Sequence, residues 1–238
     1  MKPLPEKTLV SHLEELRGTL LRSIVFLGIC FIPLYFAAPF VLDQFFLNLD
    51  LGGRNLHFFS PMEMFLLQLK VAFLLDSVVS SPFVAYNLWK FVIPGLYESE
   101  RRFVRRMSFC TSVLFIGGVS FCLLVCFPMV VKFGLGFESD FVKPLLRASS
   151  IVDLSLCLSF AFGIMFQFPL LTFGLVKCGI VSYESVCRAR PYVLVVVLLL
   201  AAIFTPPDVV SQLVLGIPTY LLFECGLLFA RRYRSRDR

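Results

Sequence analysis

Six long apolar runs, separated by charged segments, constrain the fold of this chain more than any other feature. The runs cover 20–38, 64–88, 107–128, 151–176, 192–204 and 209–230. An α-helix needs about 20 apolar residues to cross a hydrocarbon core of roughly 30 Å. Because 58% of the 238 residues are hydrophobic and 16% are charged, the apolar surface exceeds what a soluble domain of this size buries. The sequence predicts an all-α membrane protein with six transmembrane helices in one polytopic domain, 1–238.

The distribution of Lys and Arg predicts how these helices are oriented in the membrane. With the N-terminus inside, the inner segments carry seventeen of the 22 Lys and Arg residues and the outer segments carry four. Cytoplasmic loops carry such an excess of basic residues. Because six spans are an even number, both termini are then cytoplasmic. This predicts an amphipathic cytoplasmic segment at 1–19 and a basic cytoplasmic tail at 231–238.

Residue patterns also exclude two classes of protein. The net charge of +6 does not form the clustered basic face that nucleic-acid binding requires, because Lys and Arg alternate with apolar segments. His12 and His57 are far apart in the predicted topology, and no catalytic arrangement of residues falls at one membrane depth, so neither an enzyme nor a cofactor is predicted. The eight Cys residues lack C-x-x-C spacing and are interpreted as small buried apolar residues.

The last two apolar runs are shorter than the others and predict shortened fifth and sixth helices. The fifth run has thirteen residues and as a helix is about 20 Å long, which is less than the thickness of the bilayer core. The sixth is interrupted by Pro218 and Glu224. Since 205–208 (Thr-Pro-Pro-Asp) predicts a tight outer turn between them, we expect local thinning of the membrane at this corner.

Two local patterns predict further detail near the first span. Apolar residues at 40, 41, 45 and 46 follow a helical spacing, which predicts a short interfacial helix on the outer leaflet. At the N-terminus, Ser11 followed by Glu14 has the spacing of a capping box, in which each side chain satisfies a backbone N–H at a helix start. Glu15 then points about 100° away from Glu14 and is available for other contacts.

Six short strings, in order along the chain, resemble those of the TatC family of the twin-arginine protein translocase. They are SHLEELR at 11–17, SPFVAYNLWKF at 81–91, PGLYESERR at 94–102, FGIMFQFP at 162–169, RPY at 190–192 and TPPDVVSQ at 205–212, followed by Phe223 and Glu224. Each string alone is a weak signal. Their shared order, with the predicted spans between them, makes the resemblance specific over nearly the whole chain.

The resemblance implies a concave six-helix bundle in the cell inner membrane. Such proteins recognise signal peptides bearing paired arginines and self-associate in a receptor complex. Together with single-span partners of the TatA and TatB type, they export folded proteins by using the proton-motive force. A secondary transporter of a small solute stays the alternative, although the inverted repeats typical of that class are not detectable in the sequence.

The resemblance also implies a signal-peptide site at the cytoplasmic side. Its carboxylates correspond to Glu15 and Glu100, its aromatic cover to Phe91 and Trp89, and Arg17 lies beside Glu15. The structural alternative for Glu15 is a solvated acid at a helix start, favoured by the helix dipole. For Glu100, placed in a loop beside several arginines, the alternative is a surface ion pair worth less than about 1 kcal/mol.

Polar residues in or near the later spans are candidates for contact with partner helices. They are Gln167, Gln212, Glu224 and Asp208. Many TatC relatives carry glutamate where Gln167 stands, so this sequence keeps the polarity without a titratable group, and an internal hydrogen bond is an equally good interpretation. Asp208 is also placed to cap the sixth helix.

Three ionisable residues of the second span have no role that the resemblance assigns. Glu63 and Lys70 resemble positions of the family near the outer end of this span, and their side chains are expected to extend toward the interface. Asp76 lies six residues after Lys70 and therefore on another helix face. Its role is left open.

Overall fold

A computed structural model describes residues 9–49, 56–92, 98–136, 145–177, 181–204 and 209–234, and helices account for almost all of them. The nine α-helices of this described part are α1 (Leu9–Leu47), α2 (Pro61–Val92), α3 (Glu98–Phe121), α4 (Phe127–Leu135), α5 (Ala148–Met165), α6 (Phe168–Lys177), α7 (Tyr183–Arg188), α8 (Arg190–Phe204) and α9 (Val209–Arg234). A π-helical turn, Cys122–Cys126, joins α3 to α4. The predicted apolar runs lie in these helices, except that the third run crosses the π-helical turn and the fourth is interrupted at 166–167. The all-α membrane architecture is confirmed.

Four helical stretches are long and apolar enough to cross a membrane. They are Leu16–Leu47, Val104–Leu135, Ala148–Val176 and Gln212–Arg231, whereas the apolar helix α8 is shorter. The helix α2 also has the length, but it carries four charged residues along its 32 positions. The count of six spans and their orientation in the membrane stay predictions.

The chain divides into two compact units. The first unit comprises Met1–Gln44 and Gln68–Val113, and the second comprises Phe45–Leu67 and Leu114–Arg238. In the first unit, Asn87 Nδ2 of α2 donates to Ser23 Oγ of α1 over 3.3 Å, and the rings of Phe26 and Phe83 stack with centroids 4.1 Å apart. From the first contact to the second, the residue number rises along α1 (23 to 26) and falls along α2 (87 to 83). The two helices are therefore antiparallel.

The core of the second unit forms around the π-helical turn. Phe127 and Leu158 are buried there together with Phe162, Met165 and Leu215, which come from the three helices α4, α5 and α9. Backbones approach closely at small residues: a Cβ on Gly118 of α3 would lie 2.6 Å from the carbonyl oxygen of Phe162 in α5. Likewise, a Cβ on Gly226 of α9 would lie 2.6 Å from Pro169 Cα in α6. Small residues therefore set the spacing of these helices, as is common in membrane bundles.

The first span differs from the sequence-based expectation at both ends. The predicted interfacial helix does not form, because α1 continues without interruption through Leu47 and contains both Pro33 and Pro39. Transmembrane helices tolerate such prolines when neighbouring groups satisfy the freed backbone. The capping-box prediction is also wrong, since α1 begins at Leu9 and Ser11 therefore lies inside the helix.

The later spans also differ in length and continuity. The helix α8 has 15 residues, so the expected shortening is present there, whereas α9 runs for 26 residues through Pro218 and Glu224. The fourth predicted span is broken, because α5 ends at Met165 and α6 begins at Phe168. Pro169 explains the break, since it lacks the N–H that would bond the carbonyl of Met165 four residues earlier, and its ring clashes with that carbonyl in a continuous helix. The predicted turn at 205–208 lies outside the described residues.

The cysteines are less buried than expected. Among the seven in the described part, Cys122 and Cys126 are buried, whereas Cys110, Cys157 and Cys225 are exposed. The prediction fails for the exposed ones because an outward position on a membrane helix is already apolar, so an apolar sequence environment does not require burial inside the protein. All seven are free thiols.

Candidate functional site

The first unit holds the residues predicted to bind a signal peptide, and its helix contacts place two of them at one end. Glu15 precedes Ser23 by eight residues in α1, which is about 12 Å of helix. Glu100 precedes Thr111 by eleven residues in α3, which is about 16 Å. Ser23 and Thr111 both contact the last turns of α2, at Asn87 and Trp89. The starts of α1 and α3 therefore project from the same end of the three helices.

The structure also corrects the local setting of Glu100. This residue lies in the first turn of α3 and not in a loop. An acidic residue is favoured there because the N-terminus of a helix carries a partial positive charge. The side chains of Glu15 and Glu100 lie outside the described part of the structure. Only the backbone positions of these two residues, on α1 and α3, are described.

The three other predicted peptide-site residues have different surroundings. Trp89 is buried, and its indole N–H donates to Thr111 Oγ1 over 2.7 Å. Its contact is thus with α3 inside the unit, near the end of α2. Phe91 is half-buried two residues further along, and Arg17 is exposed one half-turn after Glu15.

The predicted partner-contact residues belong to the second unit, where their polar groups have internal hydrogen bonds. Gln167, at the break between α5 and α6, donates through Nε2 to the carbonyl of Gly163 over 3.2 Å. Gln212 of α9 donates to the carbonyl of Leu198 in α8 over 3.0 Å. These bonds satisfy the Nε2 donors of both side chains within apolar helices. Asp208 lies outside the described residues.

Glu224 lies in a charged cluster that joins the second half of α9 to the start of α8. Its carboxylate pairs with the guanidinium of Arg190 over 3.0 Å, and the Tyr220 hydroxyl donates to Oε1 over 3.1 Å. This pairing explains how α9 accommodates a charged residue among its apolar residues. The Glu224 side chain is still 28% exposed, so part of it is accessible to another molecule.

An ion pair between the buried carboxylate of Glu63 and the half-exposed guanidinium of Arg147 lies in the second unit and was not predicted from the sequence. The Arg147 guanidinium donates to both carboxylate oxygens of Glu63, over 2.9 and 3.2 Å, and the backbone N–H of Phe59 donates to Oε2 over 3.1 Å. Glu63 therefore has a partner within the protein, and its expected extension toward the interface stays a prediction. The two residues are 84 positions apart. The one sequence feature that indicates the pair is their opposite charge in two predicted outer segments.

The surroundings of this ion pair join two segments that precede α2 and α5. The His57 N–H donates to the Leu146 carbonyl, and the Ala148 N–H donates to the His57 carbonyl, each over 3.0 Å. The Arg147 guanidinium also lies over the ring of Phe59, 5.6 Å from its centroid. Hydrogen bonds from Arg147, above all, lower the pKa of Glu63 to about 2. Glu63 is therefore ionised at neutral pH.

Metal binding has no visible basis in this geometry. Within the described ranges, no three residues among His, Cys, Asp and Glu gather in a group that could hold a metal ion.

The chain is similar to known proteins over nearly its whole length. The profile of the family described as Sec-independent protein translocase protein (TatC) matches residues 11–218. The protein named Sec-independent protein translocase protein TatC from Carboxydothermus hydrogenoformans is 32% identical over 231 residues, which are 97% of this chain and 95% of the relative. The protein of the same name from Escherichia coli K12 is 34% identical over 240 residues, which are 97% of this chain and 90% of the relative.

A solved structure agrees with these relatives. The crystal structure of the twin arginine translocase receptor TatC in DDM superposes with a TM-score of 0.82 at 29% sequence identity, covering 92% of this chain and 99% of that chain. Together with the apolar helices, this similarity identifies a multi-pass membrane protein. The chain belongs to the TatC family of Sec-independent protein translocase proteins.

Proposed function

We propose that this TatC-family chain is the signal-peptide receptor of the twin-arginine translocation system. The observation that carries the proposal is the arrangement of α1, α2 and α3, whose contacts at Ser23–Asn87 and Trp89–Thr111 direct the starts of α1 and α3 to one end. Glu15 and Glu100 lie on those two helix starts. Two carboxylates at one end of a helical unit suit a ligand with two adjacent positive charges.

The chemistry of arginine explains why such a site would select a pair of arginines. A guanidinium is a planar fork that forms two parallel hydrogen bonds with one carboxylate, whereas the ammonium of lysine acts as a point charge. Hydrogen bonds to charged groups contribute roughly 1.5–3 kcal/mol each. Two such pairs would therefore discriminate strongly between Arg-Arg and Lys-Lys. The half-buried ring of Phe91, near the end of α2, is placed to restrict water near this site.

Further parts of the proposal concern the cellular setting. We place the chain in the cell inner membrane with both termini in the cytoplasm, because seventeen of the 22 Lys and Arg residues then fall inside. Its partners are single-span proteins of the TatA and TatB type and further copies of itself in a receptor complex. Gln167, Gln212, Glu224 and Asp208 are the candidate contacts for partner helices, and the proton-motive force drives export.

Two other functions are less well supported. The small-solute transporter considered from the sequence has no supporting observation, whereas the TatC profile matches residues 11–218. Catalysis is not part of the proposal, since the TatC family is a transport family and the paired carboxylates are assigned to peptide binding.

Peptide binding by the purified full-length chain tests the receptor proposal. We expect the chain to bind a signal peptide with paired arginines and to bind the matched Lys-Lys peptide much more weakly. Glu100→Gln should abolish detectable binding, and Glu15→Ala should weaken binding by at least about tenfold, because each removes one charge-assisted contact. Crosslinking of a labelled peptide in detergent or in bilayers gives the measurement.

The neighbouring residue Glu14 supplies a matched control for this test. Its side chain is exposed and lies one position before Glu15 on α1, so Glu14→Ala should leave binding nearly unchanged. Equal crosslinking of the wild type, Glu15→Ala and Glu100→Gln would refute the site. Equal binding of the Arg-Arg and Lys-Lys peptides would refute the receptor function.

A further inference from the structure

Asp76 is a buried carboxyl that the proposed receptor function does not use. It lies near the middle of α2, fifteen residues after Pro61 and sixteen before Val92. The residue is 2% exposed and its neighbour Ser80 is 0% exposed. The Ser80 hydroxyl donates to Asp76 Oδ1 over 3.0 Å. Serines in helices also donate to backbone carbonyls, as Ser77 does to that of Phe73. Ser80 donates to the Asp76 carboxyl instead.

No cation accompanies this carboxyl in the described part of the structure, where Asp76 forms no ion pair. On its own helix, Lys70 lies six residues away and therefore on a different face. On α1, the charged residues nearest the middle of the helix are Arg22 and Asp43, with Cys30 and Tyr35 between them. On α3, the first-unit part that follows Arg106 contains Cys110 as its one titratable residue.

Glu63 shows how this protein accommodates a buried carboxylate that is ionised. It is 7% exposed, and it accepts two hydrogen bonds from Arg147 and one from the backbone N–H of Phe59. Asp76 has one neutral hydroxyl donor in place of these three bonds. A carboxylate removed from water without a cation or several donors is strongly unfavourable, whereas a neutral carboxylic acid is tolerated.

We propose that Asp76 is an intramembrane proton-binding site, in which Oδ2 carries the proton at neutral pH while Oδ1 accepts the hydrogen bond from Ser80. The ligand of the site is a single proton, and its binding converts the carboxylate to the neutral acid. Because burial holds the proton, any rearrangement that brings water or a basic side chain to this part of α2 promotes its release. Protonation of Asp76 is therefore coupled to the packing of α2.

Infrared spectroscopy of the full-length protein in bilayers tests this assignment. A protonated carboxylic acid has a C=O stretching band that a carboxylate lacks. We expect the difference between wild type and Asp76→Asn at neutral pH to contain this band, with the intensity of one carboxyl group. The matched control is Asp43→Asn, which changes an exposed aspartate of α1 and should leave the acid band in place.

A second variant keeps the test independent of how well Asp76→Asn folds. Ser80→Ala removes the hydrogen bond to Oδ1, so the acid band should move to higher frequency and keep its intensity. An acid band that is the same in wild type, Asp76→Asn and Ser80→Ala would overturn the proposal. The appearance of a carboxylate band alone, lost in Asp76→Asn at neutral pH, would also overturn it.

Discussion

Glu63 and Asp76 are two buried carboxyls of α2 whose charge states are decided by their immediate neighbours. Arg147 gives Glu63 a bidentate partner, whereas Ser80 gives Asp76 one hydroxyl donor. The Glu63 side chain is 6% exposed and that of Arg147 is 50% exposed, so loss of Arg147 would leave a buried carboxylate without its partner, whereas loss of Glu63 would leave a cation that water partly solvates. At the scale of single residues, the identity of one neighbour therefore determines whether a carboxyl joins two segments electrostatically or holds a proton.

The Glu63–Arg147 pair predicts a pH-dependent difference in stability. Arg147 lowers the pKa of Glu63 from an ordinary value of 4.5 to about 2, so the folded state holds this proton less tightly than the unfolded state does. The stabilisation is therefore complete above about pH 4.5 and is lost as the pH falls toward 2. We expect Glu63→Gln to lower the melting temperature at pH 7, and we expect this difference from wild type to shrink progressively as the pH falls below 4.5.

Thermal unfolding of the purified protein in detergent measures this effect. Glu14→Gln provides the control, since Glu14 is exposed on α1 and its substitution should change the melting temperature little at any pH. A difference between wild type and Glu63→Gln that stays constant from pH 7 down to pH 3 would contradict the role assigned to the ion pair.

At the scale of helices, close backbone contact at small residues determines the packing of the second unit. A Cβ at Gly118 would meet the carbonyl oxygen and carbon of Phe162 at 2.6 and 3.0 Å. Backbone atoms of a neighbouring helix cannot move aside as the end of a side chain can, so any larger residue separates α3 from α5. Gly163 of α5 has a similar fit against the ring of Phe115.

This packing predicts opposite effects for two adjacent substitutions. Gly118→Ala should destabilise the protein by about 1–3 kcal/mol, because it overpacks the contact between α3 and α5. Gly117→Ala is the matched control, since a Cβ at Gly117 has nothing within 4 Å and alanine is favoured in helices by up to about 1 kcal/mol. Thermal unfolding of both variants gives the comparison. Equal stability of the two variants would contradict the packing argument.

At the scale of the whole molecule, the two proposed activities belong to different compact units. The residues assigned to signal-peptide binding, Glu15 and Glu100 among them, lie in Met1–Gln44 and Gln68–Val113. The candidate partner contacts Gln167, Gln212 and Glu224 lie in the unit that includes Leu114–Arg238. Substitutions in one unit should therefore affect one activity more than the other.

A substitution at Glu224 tests this separation. Glu224→Ala removes the partly exposed carboxylate that pairs with Arg190, so we expect weaker co-purification of a single-span partner protein and unchanged binding of an Arg-Arg signal peptide. Ser185→Ala, at an exposed residue of α7, is the control and should change neither. Loss of peptide binding in Glu224→Ala, with the partner retained, would contradict the assignment.

Helix type and approximate location were predictable from sequence, whereas several local details were not. The six apolar runs lie in helices apart from the break at 166–167, yet α1 continues through the predicted interfacial helix to Leu47. The apolar spacing at 40–46 is helical whether these residues start a new helix or continue α1. Periodicity does not distinguish these two possibilities. For the candidate site, the resemblance indicated Glu15 and Glu100 from short sequence strings. It did not predict the internal hydrogen bond between Trp89 and Thr111.

The sequence by itself determined that this chain is a helical membrane protein of the TatC family. The physical reason is local: in a hydrocarbon environment, an apolar run must satisfy its backbone hydrogen bonds within itself, and a helix does so. Only the tertiary structure decided that Glu63 pairs with Arg147, and that Asp76 is buried with Ser80 as its donor. Such pairing and burial depend on which segments meet in space, and residues 84 positions apart carry no sequence pattern that specifies their contact.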